Sequence, residues 1–223
     1  MNGGIVIPVC IFAKPPIPAE VKTRLVPVLG AIGAAELASA MLVDVWRCVD
    51  LCPGVRPILA TTAHGDFPVR ISPEHVWLQG EGDLGQRIER ILRRGLLEAP
   101  AVVAIGADAP ALRAAHLRAA IHALQTTDFA VGPCTDGGFY LLAGSKCEPG
   151  LLASLPWSSP DTLEALKRRM DKHRLSVTEL PTLFDVDRPS DLYALSEHLL
   201  LNPSSAPATR AWCFQNGGQA PPA

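Results

Sequence analysis

The 223-residue chain lacks most of the signatures that assign a chemistry at sight. It has no excess of positive charge. The formal net charge of −2 leaves no global basic surface for nucleic acid, so any phosphate recognition has to come from local cations. Its apolar runs are interrupted by Pro, Gly or charge before the ~18 residues that a membrane span needs. The opening Met1-Asn2-Gly3-Gly4 leads straight into IVIPVCIFA, with no positive n-region and no small-residue cleavage site; this reads as a strand and not as a signal peptide. The six cysteines (Cys10, Cys48, Cys52, Cys134, Cys147, Cys213) include no CxxC pair, which argues against a zinc or disulfide framework and for a reduced cytoplasmic compartment. His64, His75, His116, His122, His173 and His198 form no HxH or HExxH spacing. There is no GxSxG elbow and no internal repeat, and the loop after the first strand is neither a GxxxxGK[ST] loop nor a GxGxxG turn, so a serine-triad hydrolase and a P-loop enzyme are disfavoured.

What is present suits one compact α/β domain. Hydrophobic residues make up 48% of the chain and charged residues 19%, enough apolar content for a substantial core. Gly4 to Phe12 reads as a buried first strand that ends in a proline-rich loop, Ala13 to Gly30, unable to form a continuous helix. From Ala34 a helical period begins, with Ala38, Met41, Leu42, Val45, Trp46 and Val49 on one face. VRPILATT and HVWLQ follow as strands, and a second helix starts near Asp83 with Leu84, Ile88, Ile91 and Leu92 as its stripe. AVVAIGA (Ala101 to Ala107) is the clearest buried strand. A helix over about Ala111 to Leu124, two strands in DFAVGP and GFYLLAG, a helix in LEALKRRM, an extended RLSVTELP and a last helix from Pro189 to Leu201 complete the reading. This alternation predicts a three-layer α/β/α domain with a mainly parallel sheet over residues 1–201, with sites beyond the carboxyl ends of the strands. Residues 202–223, rich in Pro, Ala, Ser and Gly, read as a flexible C-terminal tail that docks only if Trp212 and Phe214 find a partner.

Four segments carry chemistry, each at a strand end. AKPPIPAEVKTRL holds Lys14, Lys22, Thr23 and Arg24, cations and a hydroxyl suited to a phosphate chain on a loop pre-stiffened by proline. GADAP puts Asp108 just past a buried strand, where a carboxylate can hold a hard divalent cation whose remaining ligands are waters and substrate phosphates; the plainer alternative is a helix cap. DVDRPSDL brings Asp185 and Asp187, which share one side of an extended backbone around Val186, while Asp191 reads as a first-turn acid of the last helix. TDGGFY offers Asp136, Gly137, Gly138 and Tyr140 as a substrate surface, or a tight hairpin turn. Between them, QGEGDLGQR supplies Gln79 for a base edge and Gly80, Gly82 and Gly85 for close approach. Trp157 in PWSS either stacks on a sugar or base or packs in the core.

Taken in order, AKPPIPAEVKTRL, QGEGDLGQR, IGADAPAL, GPCTDGGFYLL, PWSS and DVDRPSDL resemble a bacterial family of small glycosyltransferase-A-like transferases, of the arsenosugar-biosynthesis or nucleotide-diphospho-sugar transferase type. The first loop also resembles phospholactate guanylyltransferase of the same superfamily. The resemblance covers roughly residues 5 to 200. It implies a nucleotide-diphospho-sugar transferase (glycosyltransferase-A) fold, with Asp108 and Asp187 at the metal positions for Mg²⁺ or Mn²⁺ and Lys14, Lys22 and Arg24 on the phosphates. GADAP has one aspartate where many glycosyltransferases have a DxD pair, and the LxxGxGTR loop of sugar nucleotidyltransferases is missing. The expected activity is transfer from a nucleotide-diphospho-sugar to a small-molecule acceptor, with Asp136 and Lys22 as the catalytic candidates and no nucleic-acid partner. Nucleotidyl transfer that releases pyrophosphate is the alternative, and a non-catalytic nucleotide-binding module the third reading; a homodimer is left open.

Overall fold

The computed structural model describes residues 5–216. Strands β1 (Ile7–Ala13), β2 (Val55–Thr61), β3 (Val76–Leu78), β4 (Val102–Gly106), β5 (Phe129–Pro133), β6 (Phe139–Gly144) and β7 (Val177–Glu179) form one seven-stranded sheet in the order β3-β2-β1-β4-β6-β5-β7. Six of the strands run in one direction and β6 alone is antiparallel to its neighbours. The chain reaches β5 from β4 by a helical crossover that leaves a gap of one strand. A short hairpin turn then returns it into the gap as β6.

Helices α1 (Val26–Asp50), α2 (Leu84–Leu96), α3 (Ala114–Ala123), α4 (Thr162–Lys172), α5 (Asp191–Leu201) and α6 (Pro207–Gln215) cover the sheet. The strands are nearly continuous apolar runs because both faces are covered. Val9, Ile11, Val103, Ile105 and Leu141 turn to one face and meet Leu42, Val45 and Val49 of α1 and Leu117 and Ala120 of α3. Their neighbours Cys10, Val102, Ala104, Val131 and Leu142 turn to the other, against Ile88, Ile91 and Leu92 of α2 and Leu166 and Met170 of α4. The expected three-layer architecture is therefore present, with the period of two along each strand assigning side chains to layers.

Local chemistry explains the element ends. Asp83 caps α2: its Oδ1 accepts from the Gln86 N–H at 2.9 Å, and Gln86 Oε1 accepts from the Asp83 N–H at 2.9 Å. The first helix begins earlier than its apolar period suggests. Thr23–Leu25 forms a 3₁₀ turn and Val26 starts the helix, with Pro27 in its first turn; Gly30, at φ 70° and ψ 166°, breaks the helical backbone before the long segment. Proline is tolerated in that first turn because its missing N–H has no partner there. The interrupted helical stretch Thr23–Asp50 is also long and apolar enough to cross a membrane, a correction to the expectation that no run reaches that length. One face of it, including Ala34, Leu37, Met41, Leu42, Val45 and Val49, is buried in the protein.

The C-terminal segment departs most from expectation. It was expected to be flexible from residue 202, yet α6 packs on α1 within the described residues; residues 217–223 of that segment lie outside them. A polar contact invisible in composition accounts for this. Buried Asp44 of α1 accepts from the Ala208 N–H at 2.9 Å, the Thr209 N–H at 2.8 Å and the Thr209 hydroxyl at 2.7 Å, capping α6 from another helix. Trp212 Nε1 donates to Glu36 Oε2 at 3.1 Å, and its ring joins the cluster of Leu37, Met41, Leu195 and Leu199. Asp44→Ala is expected to destabilise the protein by about 1–3 kcal/mol, since it strands donors in a buried site, and to raise amide exchange selectively over 207–216. Unchanged exchange in that stretch would show that the cap does not hold α6.

Candidate active site

The carboxyl edge of the sheet gathers the ends of β1, β4, β5 and β7 and the start of β6. Asp108 follows β4 by two residues, and its backbone oxygen accepts from the Val186 N–H at 3.0 Å. Val186 is fully buried. Its alternation with its neighbours therefore sends Asp185 and Asp187 together into the cleft beside Asp108, as the DVD spacing predicts. The chain arrives there along β5. Leu180 N–H donates to Val131 O at 2.8 Å, Leu183 N–H to Pro133 O at 3.0 Å and Thr135 N–H to Leu183 O at 3.0 Å. The β5–β6 turn is closed by Gly137 N–H to Cys134 O at 3.2 Å, and Asp136 Oδ1 accepts from the Gly138 N–H at 2.8 Å. One ligand atom each of Cys134, Asp136 and Asp185 lies within 4.8 Å of the others.

The first loop supplies the opposing charge. Lys22, in the left-handed conformation at φ 46°, has a largely buried side chain whose Nζ donates to Asp108 Oδ2 at 2.9 Å and lies 3.7 Å from Asp187 Oδ1. Arg24 pairs with Asp187 Oδ2. Burial pulls the Lys22 pKa down, but the charge and hydrogen bond of Asp108, with Asp187 and Asp185 behind it, outweigh that and raise it above the ordinary lysine value. Burial likewise pushes Asp108 up, and Lys22 overcomes it, holding the carboxyl below its ordinary range. Asp185 is different. Burial, then the charges of Asp108 and Asp136, push its pKa up to about 6. Burial, then the charges of Asp185, Asp108 and Asp136, drive the Cys134 thiol well above its ordinary value, and a hard cation would prefer the oxygen ligands beside it. What remains is a set of carboxylate oxygens carrying excess negative charge, a donor set that fits a hard divalent cation.

These acids line one end of a cleft of about 610 Å³. Arg24 and Arg188 are the arginines on its wall; Phe12, Leu84, Ile88, Phe139 and Trp157 make the opposite side apolar. Phe139 and Trp157 meet edge to face with centroids 5.9 Å apart. Gly106 forms part of the floor because a Cβ there would lie 2.6 Å from Asp108 Oδ1.

Several residues singled out in the sequence have other roles. Lys14 and Thr23 are exposed and do not line the cleft. Gln79 does not face a ligand: it is buried and its Nε2 donates to Ala60 O at 2.8 Å, an interior tie. Gly80 makes room for the chain's own Arg90 guanidinium, whose nearest atom would lie 2.8 Å from an added Cβ, and Gly85 lets α2 pack against Leu152 and Trp157. Tyr140 lines the cleft but does not close over it: it is buried, packs edge to face on His116 and donates its hydroxyl to Pro181 O at 3.2 Å, and burial raises that phenol to about 12. Gly137 sits at φ +89° under Pro160, while Gly138 and Trp157 do line the cleft. Asp191 is a first-turn acid of α5 that ties down the preceding segment, its Oδ2 accepting from the N–H groups of Asp187 and Arg188 at 2.9 and 2.7 Å. Asp185, grouped with Asp187 in the sequence but given no role there, also lines the cleft, as does Arg188, which had no signal beyond its type.

Residues 52–159, just under half of the chain, match the model of a family described as "Uncharacterized protein conserved in bacteria (DUF2064)". No curated protein matches the sequence. Among solved structures, a provisionally assigned nucleotide-diphospho-sugar transferase from Desulfovibrio desulfuricans G20 superposes with a TM-score of 0.84 at 27% identity, covering 96% of each chain. A nucleotidyl transferase from Methanothermobacter thermautotrophicus (TM-score 0.56, 17% identity, 88% of this chain and 99% of that one) shares the fold. So does a CMP:2-keto-3-deoxy-manno-octonic acid synthetase complexed with CTP (0.54, 13%, 88% and 99%). The resemblance carried by the ordered motifs is thus borne out, and the fold is that of nucleotide-diphospho-sugar transferases and nucleotidyltransferases.

The glycine at the hinge of the site gives a test of the geometry. Gly137→Ala combines a left-handed backbone, costing about 1–3 kcal/mol for a non-glycine residue, with overlap on the Pro160 carbonyl. Denaturant unfolding should show a loss of at least that size, and a variant as stable as the parent would contradict the close packing of the turn under the α4 entry loop.

Proposed function

We propose that this protein is a metal-dependent transferase that takes a nucleotide-diphospho-sugar as donor and a small-molecule hydroxyl as acceptor. The observation that carries the reading is the convergence of Asp108, Asp136, Asp185 and Asp187, from three separate segments, in one cleft at the carboxyl edge of the sheet. Asp108 and Asp185, with Asp187 beside them, would hold Mg²⁺ or Mn²⁺. Bound there, the ion would neutralise the charge that grows on the leaving nucleoside diphosphate. Lys22 keeps Asp108 ionised and fixed in place, a positioning role that follows from its burial and its 2.9 Å contact. Asp136 is exposed, with one oxygen committed to the Gly138 N–H, and is the candidate to orient an acceptor hydroxyl and take its proton. The apolar wall of Phe12, Leu84, Ile88, Phe139 and Trp157 suits the less polar face of a sugar or acceptor.

Charge favours sugar transfer over nucleotidyl transfer. The cleft wall carries five aspartates against two arginines, and the first-loop cations that reach it are already paired with carboxylates. A triphosphate whose pyrophosphate departs would call for more free cations than a diphosphate bridged by one metal ion. Incubation with UDP- and GDP-sugars, Mn²⁺ and an acceptor panel should give donor turnover. Pyrophosphate release from NTPs and a phosphate substrate would replace the reading with nucleotidyl transfer, and nucleotide binding without turnover on either panel would leave a binding module. Asp108→Ala should retain the fold by circular dichroism and weaken Mn²⁺-dependent nucleotide binding by roughly 100-fold or more; unchanged affinity in the folded variant would remove Asp108 from the site.

A further inference from the structure

The first loop was the expected source of phosphate contacts, and its side chains are otherwise engaged. Lys14 is exposed and outside the cleft wall. The ammonium of Lys22 is spent on Asp108 and Asp187, and Arg24 on Asp187. Arg188 differs from all three. It lines the cleft, yet among the described residues no carboxylate oxygen lies within 4.0 Å of its guanidinium. Its backbone is held nonetheless: the Arg188 N–H donates to Asp191 Oδ2 at 2.7 Å, the preceding Asp187 N–H to the same oxygen at 2.9 Å, and Pro189 restricts the chain on its far side. A side chain with five N–H donors thus projects from a fixed backbone position next to four converging acids, with its charge uncommitted.

We infer that Arg188 is the cleft's own anion-binding residue and that it grips the diphosphate of the donor. The inference rests on the nucleotide-diphosphate reading of the cleft and adds a residue to it. Two phosphates brought against Asp108, Asp185 and Asp187 meet repulsion that a divalent cation offsets only in part. A planar guanidinium at the rim supplies paired donors to phosphate oxygens without drawing on the Lys22–Asp108 contact. The arrangement divides the labour: Lys22 and Arg24 hold the carboxylates, and Arg188 holds the substrate.

Isothermal titration of the full chain with UDP and with GDP, each in the presence of Mn²⁺, tests this. Arg188→Ala should weaken the better-bound diphosphate about 10- to 100-fold, the range for losing hydrogen bonds from a charged donor. Arg188→Lys should recover part of the loss, because it restores charge without the fork. Arg93→Ala, an exposed arginine on the outer side of α2, should change nothing. The corresponding nucleosides, which lack phosphate, should bind parent and Arg188→Ala alike. Wild-type affinity for both diphosphates in a folded Arg188→Ala protein, or an equal loss for nucleoside and diphosphate, would overturn this inference alone. Failure of the parent protein to bind either diphosphate with Mn²⁺ would overturn the nucleotide-diphosphate reading and this inference with it.

Discussion

Lys22 and Asp108 meet at 2.9 Å across 86 residues of sequence, and the organisation of the cleft follows from that contact. The Lys22 side chain is largely buried, and its ammonium without a partner would cost several kcal/mol. The partly exposed Asp108 carboxylate supplies that partner, and Asp187 shares the same cation at 3.7 Å. Three parts of the chain are thereby tied at one point: the loop after β1, the turn after β4 and the DVD segment. The negative charge that this cation does not cover falls on Asp185 and Asp136; burial, then the charges of Asp108 and Asp136, push the Asp185 pKa up.

The scaffold makes the meeting possible. Parallel strands deliver their carboxyl ends to one edge, so loops distant in sequence open on the same side. The single antiparallel strand matters as much. Because β6 turns back between β4 and β5, the turn that carries Asp136 lies between the strand that leads to Asp108 and the segment that carries Asp185. Continuation of that segment along β5, past the end of β7, then brings Asp185 alongside. The apolar half of the cleft comes from the other layer, where the starts of α2 and the loop before α4 approach each other closely enough to require Gly85.

The readings that failed share a cause. Gln79 and Gly80 have the composition of ligand-binding residues, and each is taken up by the protein itself, Gln79 by Ala60 O and Gly80 by Arg90, while the phenol of cleft-lining Tyr140 is spent on Pro181 O. Amide, glycine and phenol groups serve interior and substrate equally well, so residue type cannot tell the two uses apart. The tail was misread for a related reason. Its composition is that of a linker, and the capping carboxylate that orders it belongs to Asp44, in a helix more than 150 residues earlier.

The sequence by itself determined the layers, the strand-end position of Asp108 and the shared side of Asp185 and Asp187. Those depend on hydrophobic period and on the alternation of an extended backbone, both of which are local. Only the tertiary structure decided which cations are already paired, that Asp185 joins the acidic end of the cleft, and that residues 207–215 are helical. Each of these turns on which partner a charged or polar group finds across the chain, and a pairing energy between distant segments leaves no periodic trace in either of them.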